Sequence, residues 1–209
     1  MHPYVILAAA IYLGSALGGY LLGSIPFGLV ITKLAGLGDI RAIGSGNIGA
    51  TNVLRTGRKD LALATLLLDA GKAGIAAAIF GALLGTTAGL IAGAAAFIGH
   101  CFPVWLKFKG GKGVATFVGT VLVVAWPVGL VVIATWLITA AIFRMSSLGA
   151  LVAALAAPIA ALAIGRLDVA IMTGVLAVLI YWLHRSNIAR ILKGEEPRIG
   201  GKKAAPTEG

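Results

Sequence analysis

The chain has 209 residues, 59% of them hydrophobic and 11% charged, with a mean hydropathy of +1.01. Soluble domains carry about 25% charged residues, so this composition excludes an ordinary soluble fold and predicts an all-α polytopic membrane protein with little room for a separate domain. The net charge of +10 would suggest nucleic acid in a soluble protein; set between long apolar runs it instead predicts topology and an anionic lipid or substrate, with no nucleic-acid partner.

No charge appears from Pro3 through Thr32, and about 20 apolar residues cross a bilayer, so the first span is expected at Tyr4 to Ser24. That run is too long, and lacks the basic leader, for a cleavable signal peptide. Pro26 marks an exit or kink. A small, polar, glycine-rich stretch follows at Gly44 to Arg55, with Lys33, Arg41, Arg58 and Lys59 around it. Leu61 to Leu84 reads as the second span and contains Asp69 and Lys72, three apart and so on one helical face. An ionisable pair inside a membrane segment faces the bundle interior, either as a structural ion pair or as support for a site. Ala88 to Trp105 is the third span, and Lys107 to Gly113 forms a second basic, glycine-rich loop.

Val114 to Phe143 is uncharged and reads as one long helix or as two broken at Trp126-Pro127. Charge placement decides. With two spans here, Leu148 to Ile164 becomes the sixth span and Val169 to Trp182 the core of the seventh. Every lysine and arginine except Lys72 and Arg166 then falls on one face. The positive-inside rule therefore predicts seven transmembrane helices, N-terminus outside and C-terminus cytoplasmic. Residues 1–194 form the membrane domain, and residues 195–209 read as a frayed cytoplasmic polar tail.

This topology gathers Gly44 to Arg55, His100 to Gly113 and His184 to Asn187 on the cytoplasmic face, joined by Arg144 to Ser147. Cations, hydroxyls and amides with few acids suit a phosphorylated molecule, not a metal. Gly44-x-Gly46-x-x-Gly49 matches the dinucleotide fingerprint formally, but a membrane helix precedes it where a strand is required. Cys101 reads as an inert apolar thiol, since its neighbour His100 cannot face it on a helix. A transporter would need polar lining through the midplane, where only Asp69 and Lys72 lie.

Gly44–Arg55 (GSGNIGATNVLR), Gly99–Thr116 (GHCFPVWLKFKGGKGVAT) and His184–Gly200 (HRSNIARILKGEEPRIG) resemble the three motifs of the bacterial acyl-phosphate:glycerol-3-phosphate acyltransferase family, PlsY, in the same order. The resemblance implies seven membrane helices in the cytoplasmic (inner) membrane, with a site facing the cytoplasm. It implies transfer of an acyl group from acyl phosphate to the 1-hydroxyl of glycerol 3-phosphate, giving lysophosphatidic acid and phosphate in phospholipid biosynthesis. No metal, other cofactor or protein nucleophile is implied, and a monomer is expected. Carried onto this sequence, Ser45, Arg55 and Lys112 would clamp phosphate, with Gly46, Asn47, Thr51, Asn52 and Gly113 contributing from the same loops. His184 and Asn187 would hold glycerol 3-phosphate, and a serine after the fifth span, Ser146 or Ser147, would assist.

Overall fold

The computed structural model describes residues 2–200, and their regular structure is entirely helical. Helix α1 (Pro3–Gly23) opens on a proline, whose missing N–H costs nothing in a first helical turn. It breaks at Ser24-Ile25-Pro26 because Pro26 has no N–H to continue the ladder, and the chain resumes as α2 (Phe27–Leu34). The two form one apolar stretch of 32 residues, which runs past the expected exit at Ser24. A loop with the short α3 (Ala50–Val53) leads to α4 (Lys59–Leu84) and α5 (Thr86–Cys101). Then come α6 (Val114–Val124), α7 (Trp126–Phe143), α8 (Ser146–Ala163), α9 (Leu167–Leu183) and α10 (Arg185–Leu192).

Five stretches are long and apolar enough to cross a membrane: Pro3–Leu34, Lys59–Leu84, Thr86–Leu106, Trp126–Phe143 and Ser146–Ala163. A sixth is formed by α9 with α10, bent by 63°. The uncharged run from Val114 is two helices, broken at Ala125 with Pro127 in the first turn of α7. Gly129 packs against Leu122 across that break.

Helix α6 is shorter than the expected span. At 1.5 Å per residue its 11 residues cover about 16 Å, roughly half of a hydrocarbon core. Even so, it joins the two ends of the bundle. Before its first turn, Lys112 meets Asn187 in α10, just past the far end of α9. At its last residue, the Val124 carbonyl accepts from Arg166 at 3.3 Å, beside the start of α9. The chain begins α6 from within the bundle, because Gly111 and Gly113 are buried against the end of α5.

Helices α1 and α5 pack backbone to backbone. Gly19 and Gly23, one turn apart, face the carbonyls of Ala92 and Ala96. Small residues at i and i+4 are what close helix approach in lipid requires. Gly23→Val is therefore expected to abolish the folded protein, seen as loss of the monodisperse peak when the detergent-solubilised variant is chromatographed.

The interior is filled by Phe97, Phe117, Val128, Val132, Val169 and Ile180. Outward faces are equally apolar: Ile159 is 68% and Val178 70% exposed. A surface this greasy is the mark of contact with lipid. Inside the bundle, Asp69 and Lys72 face inward as expected and bond at 2.7 Å. Cys101 is buried and unpaired.

Candidate active site

The first polar cluster, Gly44 to Arg55, is organised by one side chain. Asn52 is 2% exposed. Its amide donates to the carbonyls of Ile40, Ile43 and Asn47 at 2.8–3.0 Å. Its Oδ1 accepts from the Ser45 N–H and hydroxyl at 3.1 and 3.3 Å and from Arg55 at 3.1 Å. Every polar position of the side chain is thereby used. Asn52 is expected among the ligand contacts, and in the structure it pins the curl of the loop and aims Ser45 and Arg55, both exposed. Asn47 also turns the loop, its Oδ1 accepting from the Gly49 N–H at 2.8 Å. Gly44 and Gly46 take φ of +59° and +68°, backbone that only glycine adopts without strain.

The second cluster surrounds Lys112. Lys107 and Phe108 are non-glycine residues in the left-handed region, at φ 52° and 60°, a costly conformation kept only where surroundings enforce it. The loop then folds back onto the end of α5: Gly110 N–H donates to the Cys101 carbonyl and Gly111 N–H to the His100 carbonyl, each at 3.0 Å. Gly113, at φ +79°, lies against the Phe97 ring and turns the chain into α6. Lys112 is left half-buried with its ammonium on Asn187 Oδ1. Burial pushes its pKa down to about 8, aided by the positive charges of Arg190, Arg55 and Arg185 and opposed by Glu196.

The third cluster sits at the bend between α9 and α10. His184 Nδ1 lies 2.8 Å from the Ile180 carbonyl. A carbonyl only accepts, so the proton is on Nδ1 and the lone pair on Nε2. The ring is buried at the junction of the two helices.

Glu196 completes this cluster, and the sequence reading missed it. Its Oε1 accepts from Ser147 Oγ and Asn187 Nδ2, each at 2.6 Å. Its Oε2 accepts from Arg190 Nε at 2.7 Å. Burial raises its pKa, but these three donors outweigh that and hold the carboxylate below its usual range. The expected free tail from residue 195 is thus corrected as far as residue 200. Glu196 is buried, and the Ile199 N–H donates to the Arg144 carbonyl at 2.6 Å. The Arg144 guanidinium donates to the Ile199 carbonyl in return. Residues 201–209 of the predicted tail lie outside the described residues. Two acids within a strongly basic C-terminal stretch were the only available signal.

These clusters are joined in series as an open ring. Thr51 Oγ1 and Ser146 Oγ are 3.2 Å apart, linking the first loop to the start of α8. Ser147, Glu196 and Asn187 link α8 to α10, and Lys112 joins α10 to the second loop. The two serines are thus separated by role: Ser146 faces the first loop, whereas Ser147 is committed to Glu196. The ring presents Arg55, Lys112, hydroxyls and backbone N–H groups at one end of the bundle, a lining for phosphate.

The sequence profile of the family described as Glycerol-3-phosphate acyltransferase matches residues 13–194. The chain belongs to that family. A glycerol-3-phosphate acyltransferase of Maricaulis maris is 81% identical over 194 residues, covering 93% of this chain and 90% of the relative. One from Paramagnetospirillum magneticum is 64% identical over 195 residues, covering 93% and 97%. Among solved structures, the glycerol 3-phosphate form of PlsY, an integral membrane glycerol 3-phosphate acyltransferase, aligns with a TM-score of 0.86 at 40% identity, covering 90% of this chain and 96% of the other. The lysophosphatidic acid form aligns with a TM-score of 0.83 at 39% identity, covering 90% and 94%. The family membership accounts for a polar ring at the end of a greasy bundle, because a glycerol-3-phosphate acyltransferase must join a small anion to a fatty chain.

Proposed function

We propose that this protein is an integral membrane enzyme that transfers a fatty acyl group from acyl phosphate to the 1-hydroxyl of glycerol 3-phosphate, the opening step of phospholipid synthesis. The observation that carries this reading is the series of contacts that runs from the first loop through Thr51 and Ser146 to Ser147, Glu196, Asn187 and Lys112. Two phosphorylated reactants need cations, and fixed donors beside them, and this series connects the loops that carry Arg55 and Lys112. Seven passes, with the ring at the cytoplasmic face of the inner membrane, fit the contacts at both ends of α6 and the one-sided placement of basic residues.

Acyl phosphate is a mixed anhydride and already activated, so the protein need only position and neutralise. The glycerol oxygen attacks the acyl carbonyl carbon, and the bond from that carbon to the phosphate oxygen breaks. Phosphate departs with the electron pair, and lysophosphatidic acid remains. Orientation of the two reactants supplies roughly 7–11 kcal/mol, and the fixed donors and cations stabilise the negative charge that develops. Arg55, Ser45 and Lys112 clamp phosphate, while Asn187 and the Nε2 lone pair of His184 hold the glycerol hydroxyls. The carboxylate of this site, Glu196, is already held by Ser147, Asn187 and Arg190 and is not free to act as a base. The hydroxyl proton therefore passes to a substrate phosphate oxygen. His184→Ala is expected to raise the KM for glycerol 3-phosphate more than it lowers kcat; turnover lost at unchanged affinity would make His184 the base.

Lys112 binds phosphate as an ammonium, so raising the pH through about 8 removes its charge. At subsaturating glycerol 3-phosphate, kcat/KM is expected to fall across that range, and Lys112→Arg, which stays charged, should shift the fall to higher pH. The reading as a whole is tested by supplying purified protein with acyl phosphate and labelled glycerol 3-phosphate, with acyl-coenzyme A in a parallel reaction. Labelled lysophosphatidic acid from acyl phosphate alone supports it. Product only from the thioester overturns the donor, and vesicle uptake without chemistry overturns the enzyme.

A further inference from the structure

One buried charged cluster lies outside the ring. Asp69 and Lys72 on α4 and His100 on α5 are 2%, 5% and 3% exposed. Lys72 Nζ is 2.7 Å from Asp69 Oδ1 and 3.0 Å from His100 Nδ1, and His100 Nδ1 is 3.5 Å from Asp69 Oδ1. The same ammonium donates to the Ile25 carbonyl at 2.7 Å and stands 5.7 Å from the centre of the Phe27 ring. An ammonium has donors only, so His100 Nδ1 accepts and its proton sits on Nε2, the nitrogen that faces Gly111.

Stability alone does not account for such a cluster. Charges within a membrane protein are costly, and apolar replacement of a buried ion pair is often neutral or stabilising. Its position is more informative. Ile25 belongs to the elbow between α1 and α2; three residues on, Gly28 touches the Ile48 carbonyl of the first polar loop so closely that a side chain there would overlap it. On the other side, the His100 carbonyl accepts the Gly111 N–H at 3.0 Å, and the His100 ring fills the space where a Gly111 side chain would lie. The next residue is Lys112. One cluster thus braces the elbow beneath the first loop and the footing of the second.

We propose that Asp69, Lys72 and His100 are positioning residues for acyl transfer, a triad that holds the two phosphate-binding loops at one mutual spacing. The triad touches no reactant; it acts through the placement of Lys112 and of the first loop. The proposal rests on the acyltransferase reading above. A displacement of 1 Å in a positioning group can cost about a hundredfold in rate, which is reason to keep a charged brace where an apolar contact would slide.

The test compares Asp69→Leu/Lys72→Met, which removes both charges together, with His100→Leu and His100→Asn, the last restoring a polar atom near the Nδ1 position. Melting temperature in detergent, KM for glycerol 3-phosphate, kcat, and the rate at which an amine-reactive reagent labels Lys112 are measured for each. The charge-free pair should melt near the wild type, yet show a KM raised roughly tenfold or more and an altered Lys112 labelling rate. His100→Asn should recover much of what His100→Leu loses. Wild-type kinetics and labelling in the charge-free pair would overturn the proposal. So would activity losses that only track melting temperature, with His100→Asn no better than His100→Leu. Labelling needs no turnover: if the wild-type protein makes no lysophosphatidic acid, the acyltransferase reading fails, while the labelling rates still decide the triad.

Discussion

Lys112→Ala should leave a folded membrane protein that forms lysophosphatidic acid at least about a hundredfold more slowly, the usual loss when one fixed group facing developing charge is removed. Arg55→Ala should do the same. The two cations come from different loops and neither substitutes for the other. Lys112 is half-buried and bonded to Asn187, whereas Arg55 is exposed and steered by Asn52. Neither holds the helices together, so melting temperature in detergent should stay near the wild-type value. Arg55→Lys is expected to recover only part of the activity, because a lysine gives up the planar fork that grips phosphate through two parallel bonds. Labelled product counted against melting temperature provides the check, and near-normal transfer by either alanine variant would remove that residue from the site.

Glu196→Ala should damage both fold and activity. The carboxylate is shared by Ser147, Asn187 and Arg190, and each buried donor left without an acceptor costs about 1–3 kcal/mol. Its loss also frees Asn187, the partner of Lys112, so the series breaks at two adjacent links. Glu196→Gln retains the shape and one acceptor oxygen but puts an amide donor against either Arg190 or the Ser147–Asn187 side. It should therefore fall between the wild type and the alanine variant in melting temperature and in kcat/KM for glycerol 3-phosphate. Normal melting and kinetics in Glu196→Ala would show that the segment after α10 adds nothing to the site.

The contrast between Lys112 and Glu196 shows which parts of the molecule the sequence makes legible. Long uncharged runs announce the apolar helices directly, and Pro127 marks the break between α6 and α7. Basic, glycine-rich stretches between such runs make Arg55 and Lys112 candidates for binding an anion, beside the part such cations play in setting topology. Glu196 carries the wrong sign for that pattern and follows the last helix, so it reads as solvated tail; only its three donors, drawn from α8 and α10, reveal its place. Asn52 is legible only in part. Its position in a polar loop suggests a ligand contact, whereas the backbone carbonyls that occupy it have no signature in residue type. Partnership across many residues, as between Thr51 and Ser146, leaves no local pattern at all. The helical period does predict that Asp69 and Lys72 share a face, but says nothing of the elbow carbonyl and the imidazole they meet.

The brevity of α6 governs where Lys112 starts in the bundle. Helix α9 uses 17 residues to join the ends that α6 joins with 11, and six residues of helix amount to about 9 Å. The chain accordingly starts α6 inside the bundle, and the Lys112 side chain reaches from there to Asn187 in α10. In the proposed reaction, that half-buried cation can take the phosphate of a donor whose acyl tail stays against the apolar helices, and it is the water-soluble acceptor that must come in to meet it.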